Sequence, residues 1–178
     1  MDIQVRKVST DWTTLPNGLT WYFIGQPKTG KTTQASKWSP KGAEGCLLID
    51  TDLGADFVDG ANTVTVTSLN TPTRPKMIDN KQVTEKGKPL TEVVPNDERG
   101  YYNRTGETVG ESIDVYSMVE VYYWLKDNLK KLPYDTIVID TIDHINRWIE
   151  AEVCDERGQA AMGEGSSWGA DWAQARKK

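Results

Sequence analysis

Short, unbroken apolar runs recur at three places along the chain: Leu19–Ile24, Gly45–Asp50 and Asp135–Asp140. Runs of this length suit parallel strands buried on both faces. Thr63–Thr67 instead alternates threonine with valine, the pattern of a half-covered strand near a sheet edge. Helical periodicity fills the intervals. Ser117-Met118-Val119-Glu120 has the form of a capping box, followed by Met118, Val121, Tyr122, Leu125 and Leu129 on one face, and this helix should run to about Lys131, before Pro133. Ile142, Ile145, Ile149 and Val153 write a second apolar face after Asp140, with Trp148 beside it. A last helix is expected from about Ser167, with Trp168, Trp172 and Ala175 in line. Strands alternating with helices indicate an α/β sandwich.

Residues 70–111 break this alternation. They hold Pro72, Pro75, Pro89 and Pro95 and few large aliphatic side chains, as expected of a polar surface insertion. Within it, Gln82–Thr84 and Leu90–Val94 flank Glu85-Lys86-Gly87-Lys88-Pro89, which predicts an exposed hairpin. The chain has 178 residues, enough for one domain with a real core, so residues 1–178 are expected to form a single domain carrying this insertion.

Composition narrows the picture further. Hydrophobic residues make up 37% and charged residues 26%, and no apolar run approaches the length a bilayer needs, so no membrane association is expected. Met1–Lys7 lacks the apolar stretch of a secretory signal, which points to a cytoplasmic protein. Cys46 and Cys154 lie outside any metal-binding spacing and read as reduced packing residues. The formal charge of -5 argues against a basic coat for nucleic acid, although a local basic stripe is compatible with it.

The strongest chemical signal follows the first apolar run. Gly25-Gln26-Pro27-Lys28-Thr29-Gly30-Lys31-Thr32 fits GxxxxGK[ST], and Thr32 and Thr33 open a segment able to form a helix that ends before Pro40. Glycines let backbone N–H groups turn toward one point, and the helix N-terminus adds partial positive charge there. Triphosphate oxygens satisfy such donors. Lys31 would reach the terminal phosphates as a point charge, and the Thr32 hydroxyl would complete the coordination of Mg²⁺. Lys28 is open to two readings, a phosphate or subunit contact and a solvated loop lysine.

Magnesium bridging phosphates needs a nearby carboxylate, which an aspartate closing a buried strand holds in a fixed place. Asp140 fits, with helix capping as a compatible second role. Hydrolysis also needs a group that orients water. Asp50 and Asp52 emerge at the carboxyl end of the second strand, where ligands gather in open α/β sheets, and Asp52 is the candidate. The alternative for Asp52 is an ordinary turn acid ahead of Gly54. Asp143 and His144, the sole histidine, receive no catalytic role.

Taken in order, the strand with GQPKTGKTT, then CLLIDTD, TVTVTSLNT, the SMVEVYYWLKDNL helix and TIVIDT resemble the RecA-like ATPase core. The resemblance is to phage-encoded RecA-like proteins of the single-strand annealing and recombination type, a phage nucleotide-binding AAA-domain family. It implies a P-loop NTPase fold, a RecA-like three-layer α/β sandwich with a mainly parallel sheet. It further implies ATP and Mg²⁺ as cofactors, ATP hydrolysis, single-stranded DNA and further copies of the chain as partners, and a place in the host cytoplasm. Asp52 stands where the family carries a glutamate that polarises the attacking water, and it is the shorter acid. Asp140 matches the metal-associated aspartate and Thr141 the small hydroxyl residue after it. Gly158–Gly169 is similar to the loop that lies near DNA in RecA-like filaments.

Two features depart from the family: the insertion at 70–111, and a chain that stops before the later strands of a RecA-like sheet. Either the chain is an N-terminal portion of a longer protein, which is the expectation since Trp168 and Trp172 need something to pack on, or the sheet is abbreviated and the phosphate-loop strand meets the Asp140 strand directly, as in nucleotide kinases. Candidate DNA contacts are Tyr101-Tyr102-Asn103-Arg104 and Trp168 with Arg157, Lys177 and Lys178. Two other functions stay open. A small-molecule or nucleotide kinase uses the same loop but needs an arginine-lined lid, which the sequence lacks; a non-hydrolysing module would use ATP only for assembly.

Overall fold

Five consecutive buried residues, Cys46–Asp50, form strand β1 of the computed structural model, which describes residues 20–55, 58, 60–95, 98–99, 114–164 and 169–178. The chain divides into two units, residues 1–31 and 32–178. Helix α1, Lys31–Ala35, begins at the division. In the second unit β1 owes its complete burial to neighbours on both sides. It pairs in parallel with β2, Asn62–Ser68, and with β10, Thr136–Asp140, in a four-stranded sheet ordered β10-β1-β2-β9, where β9 is Val115–Ser117. All pairings in this sheet are parallel, so the architecture is the mixed α/β fold expected of a P-loop NTPase.

Entry into β1 is sterically fixed. A Cβ on Gly45 would lie 2.0 Å from the Ser39 hydroxyl oxygen, so only glycine fits between the 3-10 turn Gly42–Gly45 and the strand. Asn62 then staples the start of β2 to that entry, its side-chain amide donating to the Ala43 and Cys46 carbonyls at 3.1 and 3.2 Å.

Helices cover the sheet through their apolar stripes. In α2, Met118–Asn128, Val121 joins Ile49 and Val66 in a fully buried cluster, packed around by Val64, Tyr116, Met118, Leu125 and Trp148. The last of these stands on α3, Ile142–Arg157, whose Gly158 cap adopts a left-handed φ of 62°. Helix α4, Ala170–Ala175, is tied to α3 by a 2.5 Å ion pair between Arg157 and buried Asp171. Residue 168, the tryptophan expected on this last helix, lies outside the described residues. Cys46 and Cys154 are free and buried, as anticipated for packing residues.

The Thr63–Thr67 run lies near a sheet edge and is half-covered, as expected: β2 is one strand in, with only the three-residue strand β9 outside it. One expectation about the sheet is corrected. Residues 20–24, read as a buried strand, form none, and Trp21, Tyr22, Phe23 and Ile24 are exposed, Ile24 to 96%. An apolar run records a tendency to be buried and not the partner that would bury it; β10 pairs only with β1 among the described residues.

The described part of the insertion is a three-armed β structure. Its stem pairs β3, Thr73–Pro75, with β8, Thr91–Val93. Two small hairpins branch from it: β4, Met77–Ile78, with β5, Lys81–Gln82, and β6, Thr84–Glu85, with β7, Lys88–Pro89. The expected hairpin around Lys86-Gly87 is present, but Leu90–Val94 contributes to the stem. Both tips carry two residues of positive φ, Asp79 and Asn80 at 50° and 61°, Lys86 and Gly87 at 51° and 78°, the geometry of primed two-residue turns. At the junction Lys76 N–H donates to Leu90 O, Leu90 N–H to Val83 O and Val83 N–H to Lys76 O, each at 2.9 Å, closing a ring of backbone bonds.

One charged contact fastens this insertion to α2. Arg99, its side chain only 6% exposed, grips the Glu120 carboxylate with two guanidinium nitrogens at 2.6 and 2.8 Å and donates from Nε to Val94 O. The same carboxylate accepts from Ser117 N–H and Oγ, completing the capping box at the start of α2. Arg99 foremost, with the Ser117 donors assisting against burial, holds the Glu120 carboxyl down to about 2 from an ordinary 4.5. A carboxyl depressed on folding stabilises the protein fully above its unfolded pKa, and that contribution drains away as pH falls from about 4.5 through about 2. Melting curves across this window are expected to show Glu120→Gln less stable than the native chain at neutral pH by about 2 kcal/mol, with the difference shrinking in acid. A constant difference at all pH values would contradict the assigned role of Arg99.

Candidate functional site

Gly25–Lys31 lies in the first unit, where the Lys31 side chain folds back over its own loop. Nζ donates to the Gly25 and Gln26 carbonyls at 2.8 and 2.9 Å, and the Thr29 hydroxyl donates to Gln26 O at 2.8 Å. Gly30 and Lys28 take left-handed φ values of 82° and 64°, which turn the chain tightly enough for this closure. A Cβ on Gly25 would sit 3.3 Å from the Thr29 hydroxyl oxygen, so the loop closes over a position where glycine is favoured. Among the described residues, the amides of Gly25, Gln26, Lys28, Thr29 and Gly30 have no acceptor at hydrogen-bonding geometry. Gln26 and Pro27 are exposed along with the rest of the loop.

In the second unit, the structure brings two sequence-predicted residues together. Thr32 Oγ1 donates to Asp140 Oδ2 at 2.5 Å, joining the first turn of α1 to the end of β10. Asp140 is not the cap of α3. That place belongs to Thr141, whose side chain accepts from Asp143 N–H, so the Asp140 carboxylate is directed to Thr32 instead. Thr33 stands beside this pair on α1, its carbonyl accepting from the Ser36 hydroxyl at 3.1 Å.

The two aspartates of Asp50-Thr51-Asp52 have separate environments. Asp50 is buried, and its carboxylate accepts from the amides of Asp52, Gly54 and Ala55 at 3.2, 3.0 and 2.9 Å. It is the keystone of the turn after β1. Asp52 stands exposed on that turn, followed by Leu53 at a φ of 60°. Parallel register sets Asp50 abreast of Asp140, so the two strand ends present their acids side by side.

Between them sits Thr51, which sequence reasoning passed over. Its N–H donates to Asp140 O at 2.7 Å, its hydroxyl donates to Thr141 O and accepts from Thr141 N–H, both at 2.8 Å, and its carbonyl lies 2.6 Å from His144 Nδ1. A carbonyl only accepts, so Nδ1 carries the proton. The available signal was a pair of Asp-Thr steps, Asp50-Thr51 and Asp140-Thr141, each ending an apolar run. Recognising it needs the register.

A described cleft lies elsewhere, lined by Val64, Tyr116, Glu120, Val121 and Trp124. None of the predicted site residues lines it. No group of three or more histidine, cysteine or acidic residues forms a ready-made metal cage among the described residues. The donor set around Thr32 and Asp140, one hydroxyl and one carboxylate, instead suits a hard cation that keeps several waters or phosphate oxygens of its own, as Mg²⁺ does. Residues 101–104 and 168, named as DNA contacts, lie outside the described residues. No described helix is long and apolar enough to cross a membrane.

Neither the curated proteins nor the solved structures yield a match. The family described as an AAA domain matches residues 17–178, a span that includes the glycine-rich loop, the turn after β1 and Asp140. The chain belongs to this AAA domain family of P-loop, nucleotide-binding ATPases.

Proposed function

We propose that the chain binds ATP with Mg²⁺, hydrolyses it, and uses the cycle to act on single-stranded DNA in the recombination or annealing pathway of a bacteriophage. The observation that carries the nucleotide part is the 2.5 Å contact between Thr32 Oγ1 and Asp140 Oδ2, groups 108 positions apart in sequence. A hydroxyl that follows the loop lysine and a strand-end carboxylate are the ligands a phosphate-bound Mg²⁺ takes directly and through water. Magnesium there would neutralise charge developing on the phosphates.

The remaining roles follow from charge. Lys31 exchanges its two carbonyl partners for phosphate oxygens, a gain because an ammonium bonds more strongly to an anion than to a neutral dipole. The amides of Gly25, Gln26, Lys28, Thr29 and Gly30, with Thr33 at the helix start, cradle the remaining oxygens, Pro27 shaping the turn between them, and Lys28 is the outer cation of the loop. Asp52 orients the water that attacks the terminal phosphate. The DNA reading rests on the resemblance to phage RecA-like proteins and on the basic and aromatic segments it singles out, within a homo-oligomer in the host cytoplasm.

With Mg²⁺-ATP at ~100 times its dissociation constant, thermal unfolding should show stabilisation of about 2.7 kcal/mol. Lys31→Ala is expected to remove most of it, and Asp140→Asn the part that depends on Mg²⁺. Unfolding indifferent to Mg²⁺-ATP would defeat the nucleotide reading.

Phosphate release measured with and without single-stranded DNA separates the functions. A rise with DNA, steepest at low salt, is expected. Release that requires a nucleoside or nucleotide acceptor would identify a kinase, and salt-sensitive DNA binding without turnover a non-hydrolysing module.

A further inference from the structure

Every backbone and side-chain polar atom of Thr51 is committed. The amide holds Asp140 O, the hydroxyl both gives to and takes from the Thr141 backbone, and the carbonyl accepts from His144 Nδ1. These bonds begin where the β1–β10 ladder ends, at the Asp50–Asp140 pair. They therefore extend the ladder by one residue through a side chain, and attach its end to the first turn of α3. Thr51 is buried, so no water stands ready to replace a lost partner without rearrangement.

Two acids depend on this clasp. Asp140 precedes Thr141 and shares its own carbonyl with Thr51; its carboxylate meets Thr32 at 2.5 Å. Asp52 follows Thr51 directly, on the turn that Asp50 folds around its carboxylate. Releasing the Thr51 hydroxyl frees the strand ends to part, and both carboxylates lose their fixed spacing.

We propose that Thr51, braced by His144, is a positioning residue for hydrolysis: it sets the Asp52 turn against the strand end that carries Asp140 while leaving the glycine-rich loop untouched. The proposal rests on the ATPase reading above. It assigns the sole histidine a role that needs its Nδ1 proton and no titration. Misplacing a reacting group by about 1 Å costs on the order of 100-fold in rate, whereas ground-state binding through the loop is insensitive to it.

The test uses the full chain and four variants: Thr51→Val, which keeps shape and removes the hydroxyl; Thr51→Ser, which restores it; His144→Leu, which removes the donor; and His144→Asn, whose amide can donate from nearly the same place. Each is measured for Mg²⁺-ATP stabilisation and for kcat and KM of phosphate release. Thr51→Val and His144→Leu are expected to lower kcat by about 10- to 100-fold with KM for ATP and the Mg²⁺-independent part of the nucleotide-induced stabilisation nearly unchanged, and Thr51→Ser and His144→Asn to recover most of the rate. Should Thr51→Val not fold, the two His144 variants decide alone. Native kcat in the hydroxyl-less and donor-less variants, or equal loss in the conservative pair, overturns the proposal and leaves the ATPase reading standing. A native chain that neither binds nor turns over Mg²⁺-ATP removes that reading, and the proposal with it.

Discussion

Parallel pairing of β1 with β10 in a register that ends on Asp50 opposite Asp140 is the constraint from which the rest of the site follows. In a parallel sheet all carboxyl ends point the same way, so acids that close two neighbouring strands must meet at one rim. Two carboxylates abreast repel unless their fields are satisfied separately. Here they are: Asp50 is buried and takes three amides of its own turn, while Asp140 takes the Thr32 hydroxyl. The first is spent on shape, and the second meets a group that can also face a cation.

That division explains why one apolar run is buried throughout and the other is not. All five residues of β1 are covered, whereas β10 alternates, with Ile137 and Ile139 about two-fifths exposed. A strand flanked on both sides and covered on both faces must satisfy its terminal charge internally, since a buried unpaired carboxylate is far costlier than any one hydrogen bond returns. Asp50 obeys this by folding the chain back on itself, and the exposed position of Asp52 is a by-product of that fold.

Local chemistry was readable from the sequence, and spatial order was not. The α2 cap was legible because Ser117 and Glu120 satisfy one another within four residues, and the loop was legible because its glycines, lysine and threonine act as a contiguous unit. Thr32 and Asp140 were each singled out by their place at an element end, and the structure joins them by a direct hydrogen bond. By contrast β9 has three residues, too few for any periodicity, yet it turns β2 from an edge into an interior strand. The exposed run at residues 20–24 shows the same limit from the other side, since hydrophobicity alone specifies no strand. Thr51 was invisible for a third reason: its partners lie 90 and 93 positions away, and threonine after aspartate is too common to single out.

The insertion follows a different logic. Among its described residues most are exposed and none is buried, so burial contributes little to its shape, and the sequence instead uses backbone geometry. Two primed turns fix the tips, and the ring of bonds among Lys76, Val83 and Leu90 makes each arm's base the donor or acceptor of the next. Such a ring cannot lose one bond without leaving a donor and an acceptor exposed at once, which favours all three forming together. Pro89 is tolerated because each branch is only two strands wide and offers an outer edge where no N–H is required. The Arg99–Glu120 pair ties the insertion to the α2 cap, so the same carboxylate that starts the helix also anchors the chain twenty-one positions before it.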